Sequence, residues 1–196
     1  KRGTDGQWQT ISYAQMLERV RRVGQALATR PLSVERPIAI LSDNDLAHYT
    51  LALAAQWVGV PYTPVSVAYS TVSQDFAKLK QILGTLTPGL VFASSASAFG
   101  KAITATVPAD TTVVLTSGSI EGRKTLSFDD LLALGRKGAE EDPCRFENLV
   151  AQGRGEDIAG IIYTSGTTGP PKGAMLAHEG YLWVGKQANA VSRGSR

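Results

Sequence analysis

The chain has 196 residues, of which 43% are hydrophobic and 19% are charged. This composition is too apolar for a disordered chain, and the length is sufficient for one substantial hydrophobic core. Twenty basic and 17 acidic residues leave a formal charge of only +3, and the scattered basic residues argue against nucleic acid as a partner. The single cysteine, Cys144, excludes a disulfide framework and favours a cytoplasmic location.

The N-terminal part of the chain predicts a helix, a buried strand and a second helix, in that order. Residues 13–28 place apolar side chains at helical spacing, and Ser12 with Gln15 forms a capping box before them. The apolar run 38–41 predicts a buried strand, and residues 46–58 predict a helix that is apolar nearly all round. Prolines interrupt the uncharged stretch that contains this helix, so it predicts a buried helix and a turn, not a membrane span.

The rest of the chain continues the alternation of helices and strands. We predict an irregular or extended segment at 61–73, helices at 74–83 (capped by Ser73), 97–104, 128–134 and 179–189, strands at 90–93, 113–115 and 159–163, and a loop at 135–155. Short apolar strands alternating with helices predict an α/β fold, with a mostly parallel sheet flanked by helices.

A glycine-rich loop follows the last predicted strand directly. It carries four hydroxyl side chains within five residues, those of Thr164, Ser165, Thr167 and Thr168. Gly166, Gly169 and Gly173 would let backbone N–H groups turn towards a ligand, and Lys172 adds a compact positive charge. Because ligands of parallel sheets collect beyond the ends of such strands, the loop predicts a polyphosphate site.

Three other interpretations of this loop fit the sequence less well. A flexible surface loop does not require so many hydroxyl groups beside a lysine after a buried strand. A Walker A loop needs a Gly-Lys pair followed by Ser or Thr, whereas Lys172 here follows Pro171 and precedes Gly173. A dinucleotide-binding turn needs a G-x-G-x-x-G run after a strand, and no such run is found.

Residues 163–173, with the sequence YTSGTTGPPKG, resemble the signature loop of the adenylate-forming superfamily. That superfamily contains acyl-CoA synthetases, peptide-synthetase adenylation domains and luciferases. The resemblance extends upstream to residues 10–13, 38–44 and 59–61 and covers essentially the whole chain. Within the superfamily, residues 66–76 and 86–93 are most similar to feruloyl-CoA synthetases.

The resemblance implies an acid–CoA ligase that uses ATP, Mg²⁺ and coenzyme A, with ferulate or a related aromatic acid as the substrate. The carboxylate would attack the α-phosphate of ATP, and coenzyme A would then displace AMP from the acyl-adenylate. The family pattern assigns the β- and γ-phosphates to Thr164, Ser165, Gly166, Thr167, Thr168, Gly169 and Lys172. Lys172 would act catalytically by steadying the leaving pyrophosphate. His178 would lie near the acyl pocket, although Gly180 replaces the Asn that the family commonly has two residues later.

The resemblance also implies that residues 1–196 are the N-terminal part of the large AMP-binding domain, without the C-terminal domain. The distant catalytic lysine of the family belongs to that C-terminal domain, and Lys172 cannot replace it. We therefore expect that the chain alone does not form acyl-adenylate. A truncated domain would also expose apolar surface and could form a homodimer. The alternative is a non-catalytic nucleotide-binding or interaction module that kept the fold and lost the chemistry.

The remaining polar residues favour structural roles. His48 lies inside an apolar helix pattern and is expected to be packed or capped. Asp43, Asn44 and Asp45 precede the same helix and are best explained as helix caps. The sequence shows no cluster of metal ligands.

Overall fold

A computed structural model describes residue 8 and residues 10–164 and 169–194, with residues 191–194 described by their backbone alone. The helices in these residues are α1 (Tyr13–Ala28), α2 (Leu46–Trp57), α3 (Ala68–Thr71), α4 (Ala77–Leu86), α5 (Ala96–Thr106), α6 (Phe128–Glu141), α7 (Arg145–Gln152) and α8 (His178–Gly194). The strands are β1 (Ile38–Leu41), β2 (Tyr62–Pro64), β3 (Leu90–Ala93), β4 (Thr112–Leu115), β5 (Leu126–Ser127), β6 (Ile158–Thr164) and β7 (Lys172–Ala177).

The strands form one sheet in the order β5-β4-β3-β1-β2-β6-β7. All neighbouring strands are parallel except β6 and β7, which are antiparallel. The crossover from β1 to β2 runs in one direction across the sheet. The crossovers from β2 to β3 and from β3 to β4 run in the other direction. Because parallel crossovers are right-handed, their helices lie on opposite faces. The predicted α/β fold with a mostly parallel sheet is confirmed.

Each face of the sheet has its own hydrophobic core. On one face, side chains of α1, α2, α6 and α7 pack against Ile38, Ile40 and Phe92 of the central strands. On the other face, α4 and α5 pack against Ala39 and Val91. Strands β1 and β3 are buried at every residue, as expected for strands covered on both faces.

Several local predictions are confirmed. Helix α1 spans the predicted residues, and its capping box joins Ser12 and Gln15 in both directions. Strands β1, β3, β4 and β6 lie within one residue of the predicted bounds.

The predicted start of α4 is wrong by three residues. The helix begins after Phe76, whose backbone has a left-handed conformation with φ of 54°. Ser73 does accept a hydrogen bond from a backbone N–H, but from that of Phe76, in a turn before the helix. Asp75 accepts a hydrogen bond from the N–H of Ala77 in the same turn. The segment 61–73, which was predicted to be irregular or extended, contains the short extended strand β2. It also contains the single turn of α3, which the sequence pattern did not predict.

The predicted loop at 135–155 is also wrong, because helix α6 continues to Glu141 and α7 follows. Gly135 does not break the helix but lies in its contact with α1. A Cβ atom at Gly135 would overlap the backbone carbonyl of Arg22, so this glycine allows the two helices to approach closely. In the residues that the structure describes, no helix is long and apolar enough to cross a membrane.

Candidate nucleotide-binding site

The predicted phosphate-binding loop joins the two antiparallel strands β6 and β7. The β-branched and aromatic residues of 158–164 favour a strand, and β7 pairs with it from Ile158 to Thr164. Thr164 lies directly opposite Lys172, and its hydroxyl group lies 3.4 Å from the carbonyl oxygen of Lys172. The two strands are therefore paired up to Thr164 and Lys172, the residues on either side of the seven-residue loop segment.

The base of this loop projects beyond the carboxyl edge of the parallel sheet. Strand β2 pairs with β6 through Tyr62 and Gly160, and β2 ends two residues later at Pro64. Strand β6 continues two residues past that level to Thr164, a distance of about 7 Å. Ligands of open parallel sheets bind beyond this edge, so the paired end of the hairpin lies where a ligand would be expected.

Lys172 is the first residue of β7 and lies at the base of the loop. The sequence placed it inside the loop, but its pairing with Thr164 fixes its backbone in the sheet. Its side chain is exposed, and among the described residues it forms no ion pair. The ammonium group is therefore available to an anion held by the loop.

The structure brings Thr164, Gly169 and Lys172 together at one end of the hairpin. Thr164 and Gly169 are also exposed, and among the described residues no atom beyond the chain neighbours lies within 4 Å of the position of a Cβ at Gly169. The other four predicted phosphate ligands, Ser165, Gly166, Thr167 and Thr168, lie outside the described residues.

Gly173 has a packing role that its position in the loop signature does not reveal. It lies opposite Tyr163 in the hairpin. A Cβ atom at Gly173 would lie 3.0 Å from Ile161 and 3.3 Å from the Tyr163 ring. The absence of a side chain lets the tyrosine ring lie against β7, and partial burial raises the pKa of the Tyr163 phenol. Gly173 thus allows close packing at the base of the loop, and this role does not depend on the ligand.

His178 lies at the opposite end of the hairpin from the loop. Ala177, the residue before it, pairs with Ile158 at the start of β6, whereas the loop follows the end of β6. The backbone N–H of His178 donates to the carbonyl of Asp157, and its side chain lines a cleft of about 310 Å³ that Trp57 and Arg154 also line. The structure therefore does not bring His178 to the candidate phosphate ligands.

A second cavity, of about 560 Å³, lies beside the start of α2. Met16, His48, Tyr49 and Tyr62 are among the residues that line it. Burial raises the pKa of Tyr62 to about 12, and the neighbouring phenols of Tyr181 and Tyr49 add to the rise. The sequence did not predict this group of tyrosines, because its members come from α2, β2 and α8 and share no local pattern.

Of the three polar residues before α2 that were expected to cap it, the structure shows this role for Asp45, and it shows the expected packing of His48. Asp45 is the N-cap of this helix and accepts a hydrogen bond from the N–H of His48. The His48 ring lies 3.2 Å from the Ser42 hydroxyl and 3.3 Å from the carbonyl oxygen of Asp43. Within the described part of the chain, no three His, Cys, Asp or Glu residues are grouped so that they could hold a metal ion.

Comparison with protein families gives a match over nearly the whole chain. A family model described as AMP-binding enzyme matches residues 2–194. A luciferin 4-monooxygenase from Nipponoluciola cruciata is 30% identical over 86% of the chain and 30% of its own length. A long-chain-fatty-acid–CoA ligase, FadD15, from Mycobacterium bovis is 28% identical over 95% of the chain and 29% of its own length. The chain spans about a third or less of the length of these curated relatives.

Solved structures show the same arrangement of helices and strands. ATP-bound MatB from Rhodopseudomonas palustris superimposes with a TM-score of 0.62 at 28% identity, over 90% of the chain and 31% of that protein. VinN in complex with 3-methylaspartate also gives a TM-score of 0.62, at 20% identity, which shows the shared fold alone.

Proposed function

The chain belongs to the AMP-binding enzyme family, and on that premise we propose that its β6–β7 loop binds the phosphates of ATP. The chain would contribute this binding to an ATP-dependent acid–CoA ligase that forms an acyl-adenylate and then a thioester. The observation that carries the proposal is the pairing of Thr164 with Lys172, which brings a hydroxyl group and an exposed ammonium group, without an ion pair among the described residues, to the end of the hairpin where the signature segment begins. Such groups can stabilise the charge of a leaving pyrophosphate without any covalent step.

The relatives support an acid ligase in general and differ in their substrates. They include a CoA ligase for a bicyclic propanoate from Rhodococcus jostii, 28% identical over 86% of the chain, besides the fatty-acid ligase and the luciferase. We propose an aromatic acid, ferulate or a close relative, from the resemblance of residues 66–76 and 86–93 to feruloyl-CoA synthetases. Coenzyme A would be the acyl acceptor, the enzyme would be cytoplasmic, and Mg²⁺ would arrive bound to the ATP phosphates.

Calorimetric titration of the chain with pyrophosphate, MgATP and adenosine tests the phosphate-binding proposal. We expect saturable binding of pyrophosphate and MgATP and none of adenosine, because the loop contacts phosphate and not the base. Binding of adenosine as tight as that of MgATP would contradict the proposal. A parallel assay of pyrophosphate release with ATP, Mg²⁺ and ferulate tests the prediction that the chain alone has no turnover.

The non-catalytic module remains the second candidate function. It shares the phosphate-binding loop with the ligase, so the titration does not separate the two. They differ in whether residues 1–196 act as the N-terminal part of a large catalytic domain, as we propose. The pyrophosphate-release assay with ATP, Mg²⁺ and ferulate separates them when it is applied to the full-length protein that contains this chain: a ligase would release pyrophosphate, whereas a module would leave ATP unchanged.

We also propose that the chain forms a homodimer through the free edge of β7. This strand ends the sheet, and its residues from Lys172 to Leu176 are exposed. Side chains of the adjacent helix are also apolar and exposed, with Leu182 and Trp183 each at 64%. An antiparallel pairing of two copies of β7 would place Lys172 of one copy beside Ala177 of the other, so the two lysines would not repel each other.

Light scattering across the micromolar range tests the dimer. We expect the unmodified chain to shift towards a dimer with increasing concentration and the Met175→Lys variant to remain a monomer, because a charge blocks the pairing of an exposed edge. Val72→Lys is the matched control, since Val72 is equally apolar and exposed but lies outside β7. A monomer at every concentration of the unmodified chain would contradict the proposal.

A further inference from the structure

A third cavity lies at the amino edge of the sheet, on the side opposite to the loop. It has a volume of about 400 Å³ and opens where β4 and β5 begin. The residues that line it include Arg30, which follows α1, the segment 109–113, and the segment 124–126. The cavity is therefore built from three separate parts of the chain.

Apart from Asp110, the polar side chains of this cavity form no hydrogen bond or ion pair in the described part of the chain. The Nε atom of Arg30 is buried and lacks a hydrogen bond. Lys124 is exposed and forms no ion pair. The three threonine side chains that line the cavity also lack hydrogen bonds within the described residues; they are Thr111, Thr112 and Thr125.

The electrostatic balance of the cavity favours an anion. Two cationic side chains, Arg30 and Lys124, face one carboxylate, that of Asp110. Burial lowers the pKa of Arg123, which lies outside the lining, and the attraction of the Asp110 carboxylate offsets part of that lowering. Part of the charge of this carboxylate therefore acts on a partner outside the cavity. Burial lowers the pKa of Arg30.

Hydrogen bonds from Arg123 fix one wall of the cavity, the segment that leads to Thr111. The guanidinium group of Arg123 donates hydrogen bonds to the backbone carbonyls of Val107, Pro108 and Thr111, at 2.8, 2.6 and 3.0 Å. The N–H of Thr111 also donates to the carbonyl of Pro108 and closes a turn. The backbone of Thr111 is thus positioned before any ligand arrives, so binding would require little ordering of this turn.

We propose that this cavity binds a phosphoryl group, as free phosphate or as a phosphate monoester. A phosphoryl group presents several oxygen atoms in a tetrahedral arrangement, which one guanidinium, one ammonium and three hydroxyl groups can bind together. The volume leaves room for the organic part of a monoester beside the phosphoryl group. The site is separate from the nucleotide loop: four strand spacings of about 4.8 Å lie between β4 and β6, and the two sites lie at opposite edges.

Amide chemical shifts measured while inorganic phosphate or ribose 5-phosphate is added to the full chain test the proposal. We expect saturable shifts at Thr111, Thr112 and Thr125 with both ligands, and none with chloride at equal ionic strength. Tighter binding of ribose 5-phosphate would identify a monoester as the preferred ligand, and tighter binding of inorganic phosphate would identify the free anion. Shifts that do not saturate, or that chloride reproduces, would overturn the proposal.

Variants assign the binding to the cavity. Arg30→Met should raise the dissociation constant about tenfold or more, since a hydrogen bond to a charged group is lost. Arg136→Met removes an exposed arginine of α6 outside the cavity and should leave the constant unchanged. Equal constants for these two variants would overturn the proposal. If Arg30→Met does not fold, Lys124→Met makes the same comparison, because Lys124 is exposed and should weaken binding severalfold.

The phosphoryl site and the nucleotide site can be tested independently. Lys172→Ala should leave the shifts of the three threonines unchanged, because Lys172 lies at the other edge of the sheet. Loss of those shifts in Lys172→Ala would show that phosphate binds at the loop and would overturn the proposal for the cavity. Failure of the loop to bind pyrophosphate would leave the result for the cavity unaffected.

Discussion

The Gly135→Ala substitution should reduce the free energy of unfolding by about 3 kcal/mol or more. A Cβ atom at this position would overlap the carbonyl oxygen of Arg22, which belongs to the backbone of α1. A flexible side chain could move away, but here one whole helix must shift against the other. Because α1 and α6 share the core on one face of the sheet, that shift would also disturb side chains such as Val23 and Leu131. Urea unfolding followed by circular dichroism measures the change.

Gly84→Ala is the matched control for this substitution. Gly84 also lies inside a helix, α4, but no atom lies within 4 Å of the position that a Cβ would take there, so the new methyl group would meet open space. Replacing an exposed helical glycine by alanine usually stabilises a protein, by about 0.5–1 kcal/mol. The two variants should therefore shift the urea midpoint in opposite directions. A midpoint for Gly135→Ala at or above that of Gly84→Ala would show that the helices do not depend on this close approach.

The two glycines of α6 also show why part of the fold could not be predicted from the sequence. Gly135 and Gly138, in a polar stretch, favour a loop when only neighbouring residues are considered. In the structure both are buried in α6, and the residues that explain Gly135 lie more than a hundred positions earlier, in α1. Elements that depend on local patterns were predicted closely, as the capping box of Ser12 and the apolar run of β1 show.

The same distinction applies to the candidate nucleotide site. The hydroxyl groups and the lysine are local features of the sequence, so the phosphate-binding chemistry of the loop could be predicted. The pairing of Thr164 with Lys172 could not, because β7 is rich in small residues and begins inside the signature motif. The position of His178 follows from the same pairing: six residues of antiparallel strand carry the chain away from the loop before α8 begins.

The Lys172→Ala substitution should weaken the binding of pyrophosphate by about tenfold or more. Lys172 lies at the base of the loop. Its ammonium group is exposed and forms no ion pair among the described residues, so its charge is not already neutralised. A hydrogen bond to a charged group contributes about 1.5–3 kcal/mol, which corresponds to this loss of affinity. Because the backbone of Lys172 pairs with Thr164 and its side chain faces solvent, the free energy of unfolding should change little.

Lys101→Ala separates this local effect from a change in net charge. Lys101 is also exposed and has no ion pair within the described residues, but it lies on α5, outside the hairpin. Each variant removes one positive charge from the chain, so any general attraction of anions falls equally in both. Lys172→Arg should retain part of the affinity, since it keeps the charge but replaces a compact ammonium with a planar group. Equal affinities of Lys172→Ala and Lys101→Ala for pyrophosphate would show that the loop does not use Lys172 to bind phosphate.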